Sequence, residues 1–206
     1  QDIKCLHQKI ESEQILFHSD ASQVAGKLPL SFDEMNINMM TLSAHKIYGP
    51  QGAGALVSDR SVELEAVIYG GGQERGLRNG TENIAAIVGF GAAAELADEQ
   101  LEYTYKHLKL LKDELENELA NMPAITLFAT EAERLPNTLQ FALDDFDGEA
   151  LLMLLDKRGI AVSSGSACHS SAGAPSHVLL AMGGMPELAK NAIRVSFGKH
   201  NKTGDV

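Results

Sequence analysis

Thr41-Leu42-Ser43-Ala44-His45-Lys46-Ile47-Tyr48-Gly49-Pro50 is the stretch on which the reading of this chain turns. The apolar run Met39, Met40 and Leu42 leads into it, and Gly49-Pro50 punctuates its end. Lys46 therefore reads as a residue at the carboxyl end of a strand, where ligands collect in open α/β sheets. A lysine held there can act as an amine once desolvation or nearby positive charge lets it shed its proton. Ser43 and His45 flank it as hydrogen-bond donors. A nucleotide phosphate loop over Gly49-Pro50-Gln51-Gly52-Ala53-Gly54 is the competing reading. That stretch lacks the Gly-Lys-Ser/Thr ending, and no helix clearly follows. Taken alone, Lys46 also reads as a solvated loop cation.

Working outward, Ile15-Leu16-Phe17-His18, ending at Ser19-Asp20, reads as a buried parallel strand closed by a carboxylate. Asn38 to Ser43 gives a second strand, and Ala53 to Val57 a third. A glycine-rich loop from Gly70-Gly71-Gly72 to Gly80 leads to Thr81 and a long helical stretch. Leu96, Leu101, Leu108, Leu111, Leu115 and Leu119 keep helical spacing there and mark a core-facing side without chemistry. The pattern changes near Asn121-Met122-Pro123, where a domain boundary near residue 120 is expected. Beyond it come strand-like runs at Ile125 to Phe128 and Thr138 to Leu143, and a helix from about Gly148 to Lys157. A short strand Ile160 to Val162 precedes the serine-rich loop Ser163 to Ser171. The last strand, Ala192 to Phe197, alternates Ile193, Val195 and Phe197 against Arg194 and Ser196.

Composition bounds the function. The 206 residues carry 44% hydrophobic side chains, ample for a core. A formal net charge of −11 argues against a nonspecific nucleic-acid binder or a polybasic membrane anchor. No apolar run reaches the roughly 18 residues that span a bilayer, and no signal-peptide pattern opens the chain. Two cysteines without CxxC spacing speak against a zinc ribbon or disulfide scaffold, and no metal site is expected. They fit a reducing compartment, and the cytoplasm is the inferred location. Gln1 in first place, and a last segment reading like the start of another element, suggest a piece of a longer polypeptide.

Four further residues carry chemistry. A carboxylate at a strand end, as at Asp20, needs a donor or cationic partner. Capping the following helix would supply one; the protonated ring nitrogen of a pyridine cofactor would supply another. Gln23, one helical turn on, is placed to reach a ring hydroxyl. Cys5 lies among helix-like apolar residues, where a buried, inert thiol is the default. Cys168 sits in Ser163-Ser164-Gly165-Ser166-Ala167-Cys168-His169-Ser170-Ser171, a small, polar and flexible setting. It reads as a reactive thiol that must be activated, because only a few per cent of an ordinary thiol with a pKa near 8.5 is ionised at neutral pH. Arg194, on the polar side of the last strand, suits bidentate binding of a substrate carboxylate, or a surface ion pair.

Together these segments resemble the cysteine desulfurases of the class V aminotransferase superfamily, which are fold-type I, pyridoxal-phosphate-dependent enzymes. The resemblance rests on His18-Ser19-Asp20-Ala21-Ser22-Gln23, Ser43 through Pro50, Gly70-Gly71-Gly72-Gln73-Glu74-Arg75, Arg78-Asn79-Gly80-Thr81-Glu82-Asn83, Ser163 through Cys168, and Ile193 through Gly198. It implies an α/β fold in which residues 1–120 are the C-terminal part of a large, mostly parallel-sheet cofactor domain. Residues 121–206 would be a small domain with the cysteine loop. It further implies pyridoxal 5'-phosphate as cofactor, with Lys46 as the Schiff-base lysine, Asp20 on the pyridine nitrogen and Gln23 on the ring oxygen. Ser43 and His45 would hold the phosphate, Thr81 the phosphate of a second subunit in a homodimer, and Arg194 the substrate carboxylate. Cys168 would accept sulfur from L-cysteine and pass it to an acceptor or scaffold protein, for iron-sulfur clusters or thio-cofactors. The family's N-terminal part, with a ring-stacking histidine and further phosphate contacts, has no counterpart here, and its final helix is not evident. Selenocysteine lyase, acting on L-selenocysteine, shares the scaffold and residues. A noncatalytic interaction module is the alternative from another class.

Overall fold

The computed structural model describes residues 2–10, 15–164 and 174–206. They form two compact units, Gln1–Tyr103 and Thr104–Val206. The boundary expected near residue 120 falls within the second unit, at the end of a helix.

In the first unit, α1 (Ile3–Gln8) precedes β1 (His18–Asp20), α2 (Phe32–Met35), β2 (Met39–Ser43) and β3 (Gly54–Ser58). The sheet order is β1-β2-β3, with β1 parallel and β3 antiparallel to β2. Ala21, Ile37 and Met40 form its buried cluster, joined by Phe17, Phe32, Met35, Leu42 and Val57. β1 is parallel as expected, but starts at His18 and is not buried. Ile15 and Leu16 are exposed, because β1 pairs only with β2 among the described residues. Cys5 is likewise exposed and not a core thiol. It lies on a six-residue helix with no buried residue, capped by Asp2, whose Oδ1 accepts from the Cys5 amide at 2.9 Å. The unit closes with α3 (Ile84–Glu99), capped by Asn83, which accepts from the Ala86 amide at 3.2 Å.

The expected single helical stretch is two helices. α4 (Leu101–Ala120) begins beyond Gln100, where the backbone leaves the helical region. Its Leu108, Leu111 and Leu119 are buried; the first two pack with Phe197, the last with Leu139, Phe141 and Ile193. The second unit continues with β4 (Ile125–Leu127), β5 (Thr138–Leu143), α5 (Gly148–Asp156), β6 (Ser163–Ser164), α6 (His177–Ala181), α7 (Pro186–Lys190) and β7 (Ala192–Ser196). Its antiparallel sheet runs β4-β5-β7-β6. The alternation read over the last strand places Ile193 and Phe197 in the core with Val195 against it. The short strand expected at Ile160 to Val162 lies instead at Ser163–Ser164, where the chain pairs with β7. Among the described residues, no helix is long and apolar enough to cross a membrane, and no group of three His, Cys, Asp or Glu is placed to hold a metal ion.

Candidate active site

β1 and β2 run parallel, so Asp20 and Ser43 finish at the same end of the sheet. Asp20 lies level with Thr41, whose carbonyl accepts from the Ala21 amide at 3.0 Å. The chain then turns over, and the Ser22 amide donates to Asp20 Oδ1 at 2.9 Å. Ser22 is buried, and its hydroxyl lies 3.3 Å from Ser43 Oγ. That hydroxyl also serves the Asp20 carboxylate, the stronger acceptor for its one proton because it is charged. Ser22 thus ties the carboxylate at the end of one strand to the hydroxyl at the end of the next.

The exposed Asp20 carboxyl is held below its ordinary 3.8 by the Ser22 hydroxyl and then the Ser22 amide, against an opposing burial effect; His18 and Thr41 add to the lowering. A lowered carboxylate stabilises the folded chain above the ordinary carboxyl range, and that contribution is lost as pH falls through the lowered value. Ser22→Ala removes the leading cause while leaving the amide. The Asp20 titration, followed by carboxyl NMR, is expected to move up towards 3.8 without reaching it. An unchanged titration would remove Ser22 from this role.

Past Ser43, Ala44–Ile47 form one turn of 3-10 helix. Ala44 and Ile47 are buried, leaving His45 and Lys46 exposed on the other side. Tyr48 ends the turn in the left-handed region at φ +65°, and the Gly49 amide closes back on the Ala44 carbonyl at 2.9 Å. Helix α3 presses on this turn from behind. A Cβ on Gly89 would stand 2.8 Å from Pro50 Cγ, and one on Gly49 3.0 Å from Ala93 Cβ. A Cβ on Gly26 would meet Ala97 Cβ at 3.2 Å and Ile47 Cγ2 at 3.3 Å. Residues 89, 93 and 97 recur every four positions on one face of α3. Their small side chains let the helix approach the lysine turn at near-backbone distance.

Sequence reasoning missed a second lysine here. Half-buried Lys27 donates from Nζ to the Gln23 carbonyl at 3.0 Å, and so fixes the backbone of a residue expected at the site. Burial lowers its pKa first, and the charge of Lys46 lowers it further. Four-residue spacing from Gln23 was the available signal. The Gln23 side chain is exposed.

Thr81 is exposed in the segment before α3, on a loop organised by Asn79. Asn79 accepts from the Gly72 amide at 2.5 Å and donates to the carbonyls of Ile68 at 2.8 Å and Gly76 at 3.2 Å. In the second unit, Arg194 lies on β7 between Gln140 of β5 and Ser163 of β6. Cys168 and its neighbours 165–173 lie outside the described residues. The first unit thus brings together Asp20, Ser43, His45 and Lys46, with Gln23 one turn on. Thr81 lies on a separate loop, and Arg194 in the other sheet.

The first-unit group suits a pyridoxal phosphate. It offers an accessible amine, an accessible carboxylate biased towards its ionised form for the ring nitrogen, and hydroxyl and imidazole donors for a phosphate. All stand at the carboxyl ends of parallel strands or just beyond. A match to the Aminotransferase class-V model over residues 1–206 completes the case, and the chain belongs to that family. It is 45% identical over 192 residues to the cysteine desulfurase of Gluconacetobacter diazotrophicus, covering 93% of this chain and 48% of that protein. It is 40% identical to the cysteine desulfurase IscS of Methanosarcina thermophila, covering 100% and 51% respectively. The chain therefore spans about half the length of these curated relatives. A NifS-like protein from Rickettsia africae superposes with a TM-score of 0.91 at 36% identity, over 100% of this chain and 54% of that one. The structure of SspA in complex with cysteine gives 0.72 at 33% identity, over 95% and 54%. The fold-type I architecture expected from the motifs is the observed one.

Proposed function

We propose that this chain is the lysine- and thiol-bearing portion of a pyridoxal-phosphate-dependent cysteine desulfurase that converts L-cysteine to L-alanine. The observation that carries this reading is the Ser22 bridge. It holds Asp20 ionised at the end of β1, level with the strand that delivers Lys46. Both curated relatives reported above are named cysteine desulfurase, which favours cysteine over selenocysteine as substrate.

When bound, pyridoxal phosphate supplies an electron sink for the electrons at the substrate Cα. Asp20 would keep a proton on the ring nitrogen, Gln23 would contact the ring oxygen, and Ser43 and His45 would hold the phosphate. The Lys46 amine takes the Cα proton and returns it, which requires the amine to be neutral at that moment. Arg194 receives the α-carboxylate through its planar fork. The Cys168 thiolate attacks the substrate sulfur, so the carbon–sulfur bond breaks as a sulfur–sulfur bond forms. The electron pair of the broken bond stays with the carbon skeleton, whose Cβ then takes up a proton to give L-alanine, and Cys168 is left carrying the persulfide. A protein acceptor or scaffold then takes the sulfur, for iron-sulfur or thio-cofactor synthesis. Thr81, exposed on its loop, would reach the phosphate of a second subunit in a homodimer. A reducing compartment such as the cytoplasm suits chemistry that stores sulfur on a thiol.

Cys168→Ser in the full-length protein tests the nucleophile. It is expected to keep the bound cofactor and its colour, form no persulfide on the 168 peptide by mass analysis, and make L-alanine at least about 100-fold more slowly. Cys5→Ser, at an exposed thiol on a short helix, is expected to behave as the natural protein. Sulfur transfer that survives Cys168→Ser refutes the assignment.

A further inference from the structure

The sheet face that carries Arg194 holds another donor, one with no role in the chemistry above. Gln140 on β5 is the residue directly opposite Arg194, and Ser163 on β6 is its opposite on the other side. Directly opposed residues of an antiparallel ladder share a face, with Cβ atoms about 4.5–5.5 Å apart. Gln140, Arg194 and Ser163 therefore form one polar row across three strands, each half-buried. The neighbouring row on one side is Ala142 and Ala192, both fully buried, with Leu179 and Ala189 packed against Ala192. On the other side the Thr138 and Ser196 hydroxyls meet at 3.5 Å. The polar row lies between a sealed apolar end and a hydroxyl pair.

Within that row, Gln140 Nε2 is shut off from solvent and has no hydrogen-bond partner among the described residues. An amide donor left this way weakens the fold unless something else supplies an acceptor. Its neighbour across the ladder is a guanidinium, which has donors only and cannot satisfy it. Among the described residues no carboxylate pairs with Arg194 either. Two adjacent donor groups, one of them cationic, call for an acceptor with two oxygens and a negative charge. A carboxylate has both, with about four lone-pair positions.

We propose that Gln140 is a specificity-determining residue for the substrate α-carboxylate, its side-chain amide donating to one oxygen while Arg194 grips the group as an ion pair. This rests on the desulfurase reading of Arg194. The amide adds a directional donor to a charge contact, and so discriminates a planar carboxylate from other anions and from amines that lack one.

The test uses the full-length, cofactor-loaded protein and calorimetric titration with L-alanine, the unreactive product, against ethylamine, the same skeleton without the carboxylate. Gln140→Met keeps the length of the side chain and removes the amide. It is expected to weaken L-alanine binding about tenfold and leave ethylamine unchanged, as befits a hydrogen bond to a charged group. KM for L-cysteine is expected to rise by a similar factor, with kcat within about twofold. The melting temperature is expected to hold or rise, because a buried unpaired donor has been removed. Gln140→Glu is the second variant. It places a like charge before the carboxylate and is expected to abolish L-alanine binding while ethylamine still binds.

A purely structural Gln140 would change L-alanine and ethylamine alike, or neither, and either result overturns the proposal. Arg194→Met separates the two layers of inference. If it weakens L-alanine while Gln140→Met does not, only the role of Gln140 fails. If the natural protein makes no L-alanine from L-cysteine, and Arg194→Met leaves L-alanine binding untouched, the desulfurase reading itself fails.

Discussion

Lys46→Ala in the full-length protein is expected to lower L-cysteine turnover by at least about 10²- to 10⁴-fold, the range that a positioned proton-transfer group supplies. It is also expected to leave no borohydride-reducible link between cofactor and residue 46. The Lys46 side chain is exposed, while Ala44 and Ile47 bury the turn against the rest of the unit. Truncating it should therefore barely move the melting temperature, and loss of turnover at unchanged stability separates chemistry from folding. Lys46→Arg sharpens the result. A guanidinium keeps the positive charge but does not deprotonate in proteins, so it offers no lone pair. It should be as inactive as alanine; recovery with arginine would show that charge alone was needed and remove Lys46 from the amine role. Lys27 is the internal control, since its ammonium lies close enough to feel that of Lys46. Lys27→Met is expected to keep the reducible link on residue 46. A link found by peptide mass on Lys27 in the natural protein would refute the assignment.

The end of β2 and the turn beyond it were legible because their signals are local. The apolar run Met39, Met40 and Leu42 stops at Ser43, ahead of the Gly49-Pro50 turn, and that is where β2 finishes. The serine loop misled, because the chain pairs as a strand inside it and not before it. The alternation at Ile193, Val195 and Phe197 described one face of β7 before any partner strand was known. Other features depend on what lies opposite, and a linear pattern does not carry that. Ile15 and Leu16 look like buried strand residues, but burial needs neighbours on both faces and both edges. Cys5 looks like a core thiol, yet its helix buries nothing. The break at Gln100 was hidden because leucine spacing continues in register from one helix to the next.

The site itself shows the same division. Asp20, Ser43, His45 and Lys46 stand beside turn signals and could be chosen singly. Ser22 could not, because its value lies in its contact with Ser43, 21 residues further along the sequence, which joins two strand ends. Gln140 becomes informative only through its register with Arg194, 54 positions later along the chain. The small residues of α3 are hidden in another way. Gly89, Ala93 and Ala97 read as unremarkable helix positions until the lysine turn is found against them.

Gly89→Val is expected to displace the lysine turn, and the magnitudes decide why valine is the informative choice. Alanine in place of a mid-helix glycine gains up to about 1 kcal/mol of helix propensity, which would mask part of a steric cost. Valine gains less than half of that, roughly, and brings two more methyl groups. Its Cβ alone would lie 2.8 Å from Pro50 Cγ. The pyrrolidine ring cannot rotate aside, so relief must come from moving α3 or the Gly49-Pro50 turn. Overpacking of this kind typically costs about 1–3 kcal/mol, and here the movement is passed to the segment that carries Lys46. The expected result is a lower unfolding free energy by that amount, together with weaker cofactor retention and a smaller yield of the reducible link. Gly91→Val on the same helix is the matched control, because a Cβ there meets nothing within 4 Å. It should hold or slightly gain stability and keep the cofactor. If the two variants prove equally stable and equally loaded, α3 does not position the lysine, and Ser22 and the sheet alone must be sufficient to do so.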